Sequence, residues 1–199
     1  TSIVVGEGNQ VYDSREGCNA IIKTANHLLI VGCTSTIIPN SVVYIDYDAF
    51  HGSGLKEIII PDNVKGIGSM AFSGCNNLSS IVVSEGNQVY DSREGCNAII
   101  RTENNSLIFG CASTTIPNSV TRIEAFAFHD HVSLKELSLP DSITSIGNKA
   151  FMNCSNLKRI TIPNSVIEIE RMAFHCCISL NDVILPDSIT EITDFVFEG

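Results

Sequence analysis

The chain has 199 residues, of which 44% are hydrophobic, and its formal net charge is −10 at neutral pH. Proteins that bind nucleic acids or anionic membranes usually present a basic surface, so this charge argues against both kinds of partner. No run of 18 apolar residues occurs, and the sequence therefore predicts no membrane-spanning helix.

All six prolines occupy one position of a repeated pattern. Each proline is followed eleven residues later by a phenylalanine, from Pro39 and Phe50 to Pro186 and Phe197. Alanine precedes each of these phenylalanines except the last, which follows Val196. Self-similarity at a fixed period is typical of repeat proteins, whose units stack along one axis. The pattern predicts a repeat solenoid that extends over residues 1–199 as a single array, with about seven full rows and partial rows at both ends.

The first full unit is a long row that spans residues 6–38. Its run from Cys18 to Cys33 predicts an inserted β-hairpin with a two-residue turn at Ala25 and Asn26. The opposed pairs in that register are Ile22 with Leu29, Ala20 with Val31, and Cys18 with Cys33.

Two short rows follow, and the long row is then repeated at residues 84–116. The segment Glu85–Ile100 is identical to Glu7–Ile22, which indicates duplication of a block made of one long and two short rows. The second long row therefore predicts a second inserted hairpin, in which Cys96 lies opposite Cys111.

Short rows of 23 residues continue from Pro117. Their unit reads L-x-x-I-x-I-P-x-S-V-x-x-I-x-x-x-A-F-x-x-C, and the alternation of its I-x-I segment predicts a short strand with both isoleucines on the buried face. Proline ends this strand because it has no N–H for the sheet ladder. The A-F-x-x-C segment predicts a short helical or 3₁₀ turn towards the next leucine. Stacking of the rows predicts a β-rich fold with a parallel sheet of short strands and a column of phenylalanines.

Seven of the eight cysteines fall into two groups. Cys75, Cys154 and Cys177 fill the x-x-C position of the unit, where we expect buried thiols that donate weak hydrogen bonds. The four hairpin cysteines are candidates for disulfides, although buried free thiols would serve equally well. The two possible bridges join Cys18 to Cys33 and Cys96 to Cys111.

The unit and its long-row variant YDSR-x-x-CNAII, at Tyr12–Ile22 and Tyr90–Ile100, resemble the BspA-like (Treponema-type) leucine-rich repeats of bacterial surface proteins. The resemblance covers essentially the whole chain. The chain departs from the family's pattern at three places: His131, Val196 and the row of Gly52–Gly54, which lacks one residue. The resemblance implies a leucine-rich repeat superhelix in a secreted or surface-attached module for adhesion or protein binding. Because the matching residues are core residues, they identify no ligand.

No motif for catalysis or cofactor binding occurs: the sequence has no G-x-S-x-G, phosphate-binding loop, H-E-x-x-H or paired C-x-x-C. We therefore expect neither enzymatic activity nor a cofactor. One cluster is a candidate for zinc, namely His175, Cys176 and Cys177 with Cys154 and His131 in neighbouring rows. Its side chains should alternate between core and surface, so we do not expect them to converge on a metal.

Two further sets of polar residues have alternative interpretations. Asp13–Arg15 and its copy Asp91–Arg93 could form a recognition tripeptide, or a turn in which Asp and Ser bond the local backbone and Arg pairs nearby. We favour the turn. The histidines that directly follow a phenylalanine, His51, His129 and His175, are expected to be solvated.

One outward position lies between the two buried residues of each strand. In chain order these positions hold Val4, Ile37, Ile59, Val82, Thr115, Ser138, Thr161 and Ile184. The first four are apolar and are predicted to be contiguous, which favours a binding strip. Alternatively, β-branched residues simply suit the exposed side of a strand, or the strip meets a second copy. The candidate strip consists of Val4, Ile37, Ile59 and Val82, with Glu57 and Arg159.

Two functional hypotheses follow from these patterns. The first is a non-enzymatic module, extracellular or on the cell surface, that binds a protein such as a host or extracellular-matrix protein. The second is a structural spacer or self-association scaffold without a ligand of its own. Because both ends of the sequence fall within a repeat, we also expect a fragment of a longer protein whose uncapped ends promote homo-association.

Overall fold

A computed structural model describes residues 2–199 and shows a solenoid of short β-strands with almost no helix. Sixteen strands occur in this part of the chain. In chain order they are β1 (Tyr12–Asp13), β2 (Ala20–Lys23), β3 (Leu28–Gly32), β4 (Tyr44–Ile45), β5 (Glu57–Ile60), β6 (Gly66–Ile67), β7 (Ser80–Val83), β8 (Tyr90–Asp91), β9 (Ala98–Arg101), β10 (Ser106–Gly110), β11 (Arg122–Ile123), β12 (Glu136–Ser138), β13 (Ser145–Ile146), β14 (Arg159–Thr161), β15 (Glu168–Ile169) and β16 (Asp182–Ile184). Two 3₁₀ turns, Arg15–Gly17 and Arg93–Gly95, are the helical segments of the described residues. The predicted repeat solenoid is confirmed.

The short rows contribute strands to two parallel stacks. In the first stack β5 pairs with β7, and β12, β14 and β16 form a three-stranded sheet. In the second stack β4 pairs with β6, and β11, β13 and β15 follow one another. The register joins equivalent positions, so that Leu137 lies beside Ile160 and Ile160 beside Val183. A constant row length therefore turns each apolar position of the unit into a buried column.

Phenylalanine rings form the column that the sequence predicts. Phe128, Phe151 and Phe174 stack almost parallel, with neighbouring ring centroids 5.1 and 5.0 Å apart. Phe50 and Phe72 stack in the same way at 5.2 Å. The N–H groups of Phe50, Phe128 and Phe151 each donate to the carbonyl of the alanine before the next ring, at 2.7 to 2.8 Å. Alanine at that position lets successive rows approach this closely.

The second hairpin interrupts the column between Phe72 and Phe128. Phe109 of β10 lies 5.2 Å from Phe72 with the ring planes inclined by 41°, and His131 lies 5.3 Å from Phe109. The hydrophobic core accordingly consists of two clusters that meet at this hairpin. Ile99 and Phe109 belong to the N-terminal cluster, whereas the other face of the hairpin belongs to the C-terminal one.

Both inserted hairpins are present, since β2 pairs antiparallel with β3 and β9 with β10. The predicted register is correct near the first turn, where Ile22 lies opposite Leu29. It is wrong further from the turn, because a β-bulge places Ala20 opposite Gly32 rather than Val31. An extra residue in one strand shifts every later pair, and no residue pattern in the hairpin indicated it.

The bulge places Gly32 directly against the ring of Phe50. A Cβ at this position would lie 2.0 Å from Cε1 of Phe50, so that a larger residue would overlap the ring. The N–H of Gly32 also donates to Ala49 O at 2.8 Å. Strand β3 of the hairpin therefore packs against Phe50, the first ring of the column, in the position that a preceding row would occupy. The turn of this hairpin spans residues 24–27, two residues more than predicted.

Candidate functional site

An exposed apolar patch lies on the first strand stack. Ile59 of β5 and Val82 of β7 lie side by side in register and are 59% and 45% exposed. Ile37, in the preceding row, is 78% exposed and shares a groove of about 190 Å³ with Ile59, between residues 36–38 and β5. The residues that alternate with them along β5 and β7 are buried. Ile37, Ile59 and Val82 are called the apolar patch below.

Val4 is exposed but does not belong to the apolar patch. Val5 N donates to Ser14 Oγ at 3.0 Å, and Ile37 N donates to Cys18 O at 3.2 Å. These bonds place the turn of the first long row between the rows of Val4 and Ile37. The prediction of four contiguous apolar positions is therefore wrong, because the inserted segment enters the sheet face between the first two of them.

The same arrangement separates Val82 from the polar positions that follow. Val83 N donates to Ser92 Oγ at 2.9 Å, and Thr115 N donates to Cys96 O at 3.0 Å. The turn of the second long row therefore divides the predicted strip into an apolar half and a polar half.

The polar half has a groove of its own. It measures about 500 Å³ and lies between residues 112–115 and the hydroxyl-bearing strands β12 and β14. Arg159 borders it, and its Nε lies 3.5 Å from Asp182 Oδ2, with the Arg159 side chain 74% exposed. Glu57, by contrast, begins β5 and borders the apolar patch. The two charged residues of the candidate strip thus lie on different halves.

The Asp13–Arg15 segment is held within its own turn. Asp13 Oδ1 accepts hydrogen bonds from Arg15 N at 3.1 Å and from Arg15 Nε at 2.8 Å. Hydrogen bonding from the Arg15 guanidinium lowers the pKa of the Asp13 carboxyl. Ser14 Oγ donates to Ala20 O at 2.7 Å, and the copy at Asp91–Arg93 forms the same ion pair. These contacts favour the interpretation as a structural turn.

A buried polar cluster joins two rows at a corner of the solenoid. His129 Nδ1 lies 2.8 Å from Ser73 Oγ and 3.1 Å from Asp130 Oδ2. Since both groups contact the same ring nitrogen, the cluster lacks the relay geometry of a Ser-His-Asp nucleophile. His129 is 7% exposed, and burial lowers its pKa. The prediction that His129 is solvated is wrong, because the turn that holds Ser73 covers it; no spacing in the sequence indicated that contact.

The cysteines of the repeat unit lie in a buried column. The thiols of Cys154 and Cys177 donate to Phe128 O and Phe151 O, both at 3.1 Å. Burial raises the pKa of Cys177 to about 12. Thiols that are buried, protonated and hydrogen-bonded are poor nucleophiles and poor metal ligands.

The hairpin cysteines donate to carbonyl groups. Cys18 Sγ lies 3.8 Å from Ala20 O, and Cys33 Sγ lies 3.4 Å from Asn19 O. Cys96 repeats the first contact and Cys111 the second. Because of the bulge, Cys33 lies beside Asn19 and not directly opposite Cys18. The two bridges stay predictions.

Two kinds of feature are missing from residues 2–199. No three or more His, Cys, Asp or Glu side chains are grouped there so that they could hold a metal ion. No helix in that range has the length and apolar character needed to cross a bilayer.

The sequence matches the family model of the BspA type leucine rich repeat region in six copies, over residues 30–99 and 104–199. This chain belongs to that family. The BspA-type array is similar to the crystal structure of a leucine rich cell surface protein from Faecalibacterium prausnitzii, with 36% identity over 84% of this chain and 46% of that protein, at a TM-score of 0.69. It is also similar to the pneumococcal vaccine antigen PcpA, with 26% identity over 80% of this chain and 43% of that protein, at a TM-score of 0.65.

The BspA-type chain spans less than half the length of these two structural relatives. No curated protein matches it significantly. The family, together with the description of the first relative, suggests a protein-interaction or adhesion module of the cell surface and specifies no ligand.

Proposed function

We propose that this chain is a non-enzymatic protein-binding module that works outside the cell or on the cell surface. The observation that carries the proposal is the apolar patch, whose three side chains are 78%, 59% and 45% exposed. Each of the three side chains lies between two buried neighbours along the chain, so its backbone is held in place and little conformational entropy is lost when a partner covers the patch. Contiguous exposed apolar surface of this kind marks interaction sites in soluble proteins.

The partner is an extracellular protein, such as a host or matrix protein, with an apolar contact surface and a basic rim. Glu57 borders the apolar patch, and the chain carries a formal charge of −10. A basic rim on the partner would complement this charge and speed association at low ionic strength.

The test replaces Ile59 and Val82 by Asp, separately and together, and measures binding to a panel of immobilised matrix proteins that includes collagen and laminin. We expect each change to weaken binding at least about tenfold, since it buries a charge in an apolar contact. Ile167→Asp is the matched control, because Ile167 is 69% exposed and lies outside the patch. Circular dichroism should show all variants folded. Equal binding by the Ile59→Asp variant and the native chain would contradict the proposal.

A structural spacer or self-association scaffold is the second candidate function. It is favoured by the same apolar patch, which a second copy of the chain can cover in place of another protein. Self-association without binding to any protein of the panel would support this function over the first. Turnover in a broad hydrolase screen would contradict the non-enzymatic part of both.

A further inference from the structure

Strand β12 is an edge strand, although another row precedes it in the stack. It pairs with β14 on one side only. On its other side, residues 112–115 border the groove of about 500 Å³ described above. In the part of the chain that the structure describes, no backbone hydrogen bond joins residues 112–115 to β12. Alternate N–H and C=O groups of β12 therefore face the groove and are available to a further strand.

Hydrogen bonds tie residues 112–115 to the opposite side. Thr115 N donates to Cys96 O at 3.0 Å, and Ser113 Oγ donates to Ser79 O at 2.7 Å. Both acceptors belong to segments that precede residues 112–115 in the chain, whereas β12 follows them. The inserted segment thus holds this row on one side and leaves the side towards β12 open.

The exposed side chains beside the groove follow a regular pattern. Glu136, Arg159 and Asp182 are neighbours in register on β12, β14 and β16, and their charges alternate. Ser138 and Thr161 are neighbours in the same way. Cross-strand pairs of opposite charge and pairs of hydroxyl residues stabilise a sheet. A strand added beside β12 is therefore favoured if it places a basic residue next to Glu136 and a hydroxyl residue next to Ser138.

The adjoining positions extend this pattern. Leu137 lies between Glu136 and Ser138 and contributes to the lining of the groove, so an apolar residue suits the position beside it. Lys135 and Lys158 stand one position earlier on the two rows and border a neighbouring cavity of about 450 Å³. An acidic residue in front of the basic one would complement both lysines.

The equivalent groove of the first block is less suited to a strand. It lies between residues 36–38 and β5, measures only about 190 Å³, and is lined by Ile37 and Ile59 of the apolar patch among others. Size and polarity therefore single out the groove at β12.

We propose that β12 binds an extended peptide segment of another protein, which adds to the sheet as a parallel strand in this groove. The segment carries an acidic, a basic, an apolar and a hydroxyl residue at four consecutive positions. Backbone hydrogen bonds to β12 give affinity, and the four side chains give register. The site is separate from the apolar patch, so its occupation does not depend on the proposed function.

The test uses the synthetic peptide Gly-Glu-Lys-Val-Thr-Gly, blocked at both ends and carrying a fluorophore, and follows its binding to the 199-residue chain by fluorescence anisotropy. We expect saturable binding. The same peptide with N-methyl groups on lysine, valine and threonine lacks the backbone donors of those residues. It should bind at least about tenfold more weakly, since each hydrogen bond contributes roughly 0.5–1.5 kcal/mol.

A charge exchange tests the register. Glu136→Lys should weaken binding of the peptide at least about threefold, because it places like charges side by side. A second peptide with glutamate in place of lysine should bind this variant more tightly than it binds the native chain. Glu168→Lys is the matched control, since it makes the same charge change at an exposed position of β15 in the other stack. Ile59→Asp should bind the first peptide like the native chain, which separates this site from the apolar patch.

Three results would overturn the proposal. They are a native chain that shows no saturable binding of the first peptide, equal binding of the methylated and unmethylated peptides, or a Glu136→Lys variant that binds both peptides as the native chain does. Circular dichroism checks the fold of each variant. If Glu136→Lys is unfolded, Glu136→Gln replaces it, and the preference for the lysine peptide over the glutamate peptide should then be lost.

Discussion

The two long rows have the same 16 residues, Glu7–Ile22 and Glu85–Ile100, in two different environments. In the second hairpin Ile99 is fully buried and Phe109 is 4% exposed, whereas Val31, the counterpart of Phe109, is 41% exposed. The difference arises because a short row covers the second hairpin on its N-terminal side. Burial in a solenoid is therefore a property of the neighbouring row as much as of the segment itself.

Local structure, by contrast, is the same in both copies. Glu16 and Glu94 adopt left-handed φ angles of 57° and 59°, and each is followed by a glycine in the same region. The serine hydroxyl of the turn accepts a hydrogen bond from the preceding valine in both rows, from Val5 N at 3.0 Å and from Val83 N at 2.9 Å. Identical residues thus form identical turns, and only the packing around those turns differs.

The largest expected difference between the hairpins concerns the outer face. Phe109→Ala should lower the free energy of unfolding by about 3–5 kcal/mol, because it removes a buried ring and leaves a cavity between the two cores. Val31→Ala should lower it by about 1 kcal/mol or less, since that side chain is partly solvated already. Urea denaturation of both variants measures the two values. Equal losses would mean that the two outer faces are equally covered.

His131, which packs on Phe109, should make the second hairpin sensitive to acid. Burial lowers its pKa to about 4, compared with about 6.5 in an unfolded chain. The unfolded state therefore binds the proton first, and stability falls as the pH drops from about 6.5 to about 4, by up to roughly 3 kcal/mol. Above that range the ring is neutral in both states and adds no pH dependence.

The variant His131→Cys isolates this effect, because cysteine fills the same position in other rows. Its unfolding free energy should fall less between pH 7 and about pH 4.5 than that of the native chain, when both are measured by urea denaturation. Parallel pH profiles for the two proteins would contradict this assignment. Carboxylates titrate in the same range but affect both proteins alike.

On the face that packs against the phenylalanine column, the two hairpins should be destabilised equally by a glycine-to-alanine substitution. A Cβ at Gly32 would lie 2.0 Å from the Phe50 ring, and a Cβ at Gly110 would lie 2.4 Å from the Phe128 ring. Gly32→Ala and Gly110→Ala should each destabilise the protein by about 1–3 kcal/mol through overpacking. Thermal unfolding of both variants tests this. If one variant is destabilised clearly less than the other, the bulge of that hairpin can relax to accommodate the added methyl group.

The smallest expected effect is a difference in thiol reactivity. Burial raises the pKa of Cys18 and of Cys96, so alkylation requires local opening of the hairpin. Cys18 should react several-fold faster than Cys96, since its hairpin is covered on one face only. Timed alkylation followed by peptide mass spectrometry measures both rates. If disulfides are present, neither thiol reacts before a reductant is added, and the intact mass is lower by two hydrogens for each bridge.

The fold could be predicted from the sequence because the same residues recur at the same positions of each row, so that a structural role inferred for one row applies to the others. Proline at the strand end, alanine at the close contact and phenylalanine in the column each serve one steric purpose, and the repeat period aligns them. The candidate site was less predictable. Ile59 and Val82 are adjacent as expected, but Val4 is separated from them, since sequence spacing does not show where an inserted turn enters a sheet.

Sequence alone therefore determined the solenoid, its rows and the two hairpins, because the underlying preferences of strand, turn and column are local or repeat at a fixed distance. Only the tertiary structure decided the hairpin register, the burial of His129 against Ser73 and the division of the strip. Each of these depends on contacts between rows across an inserted segment. There the repeat period is interrupted, so the spacing of residues in the sequence no longer gives their positions in the stack.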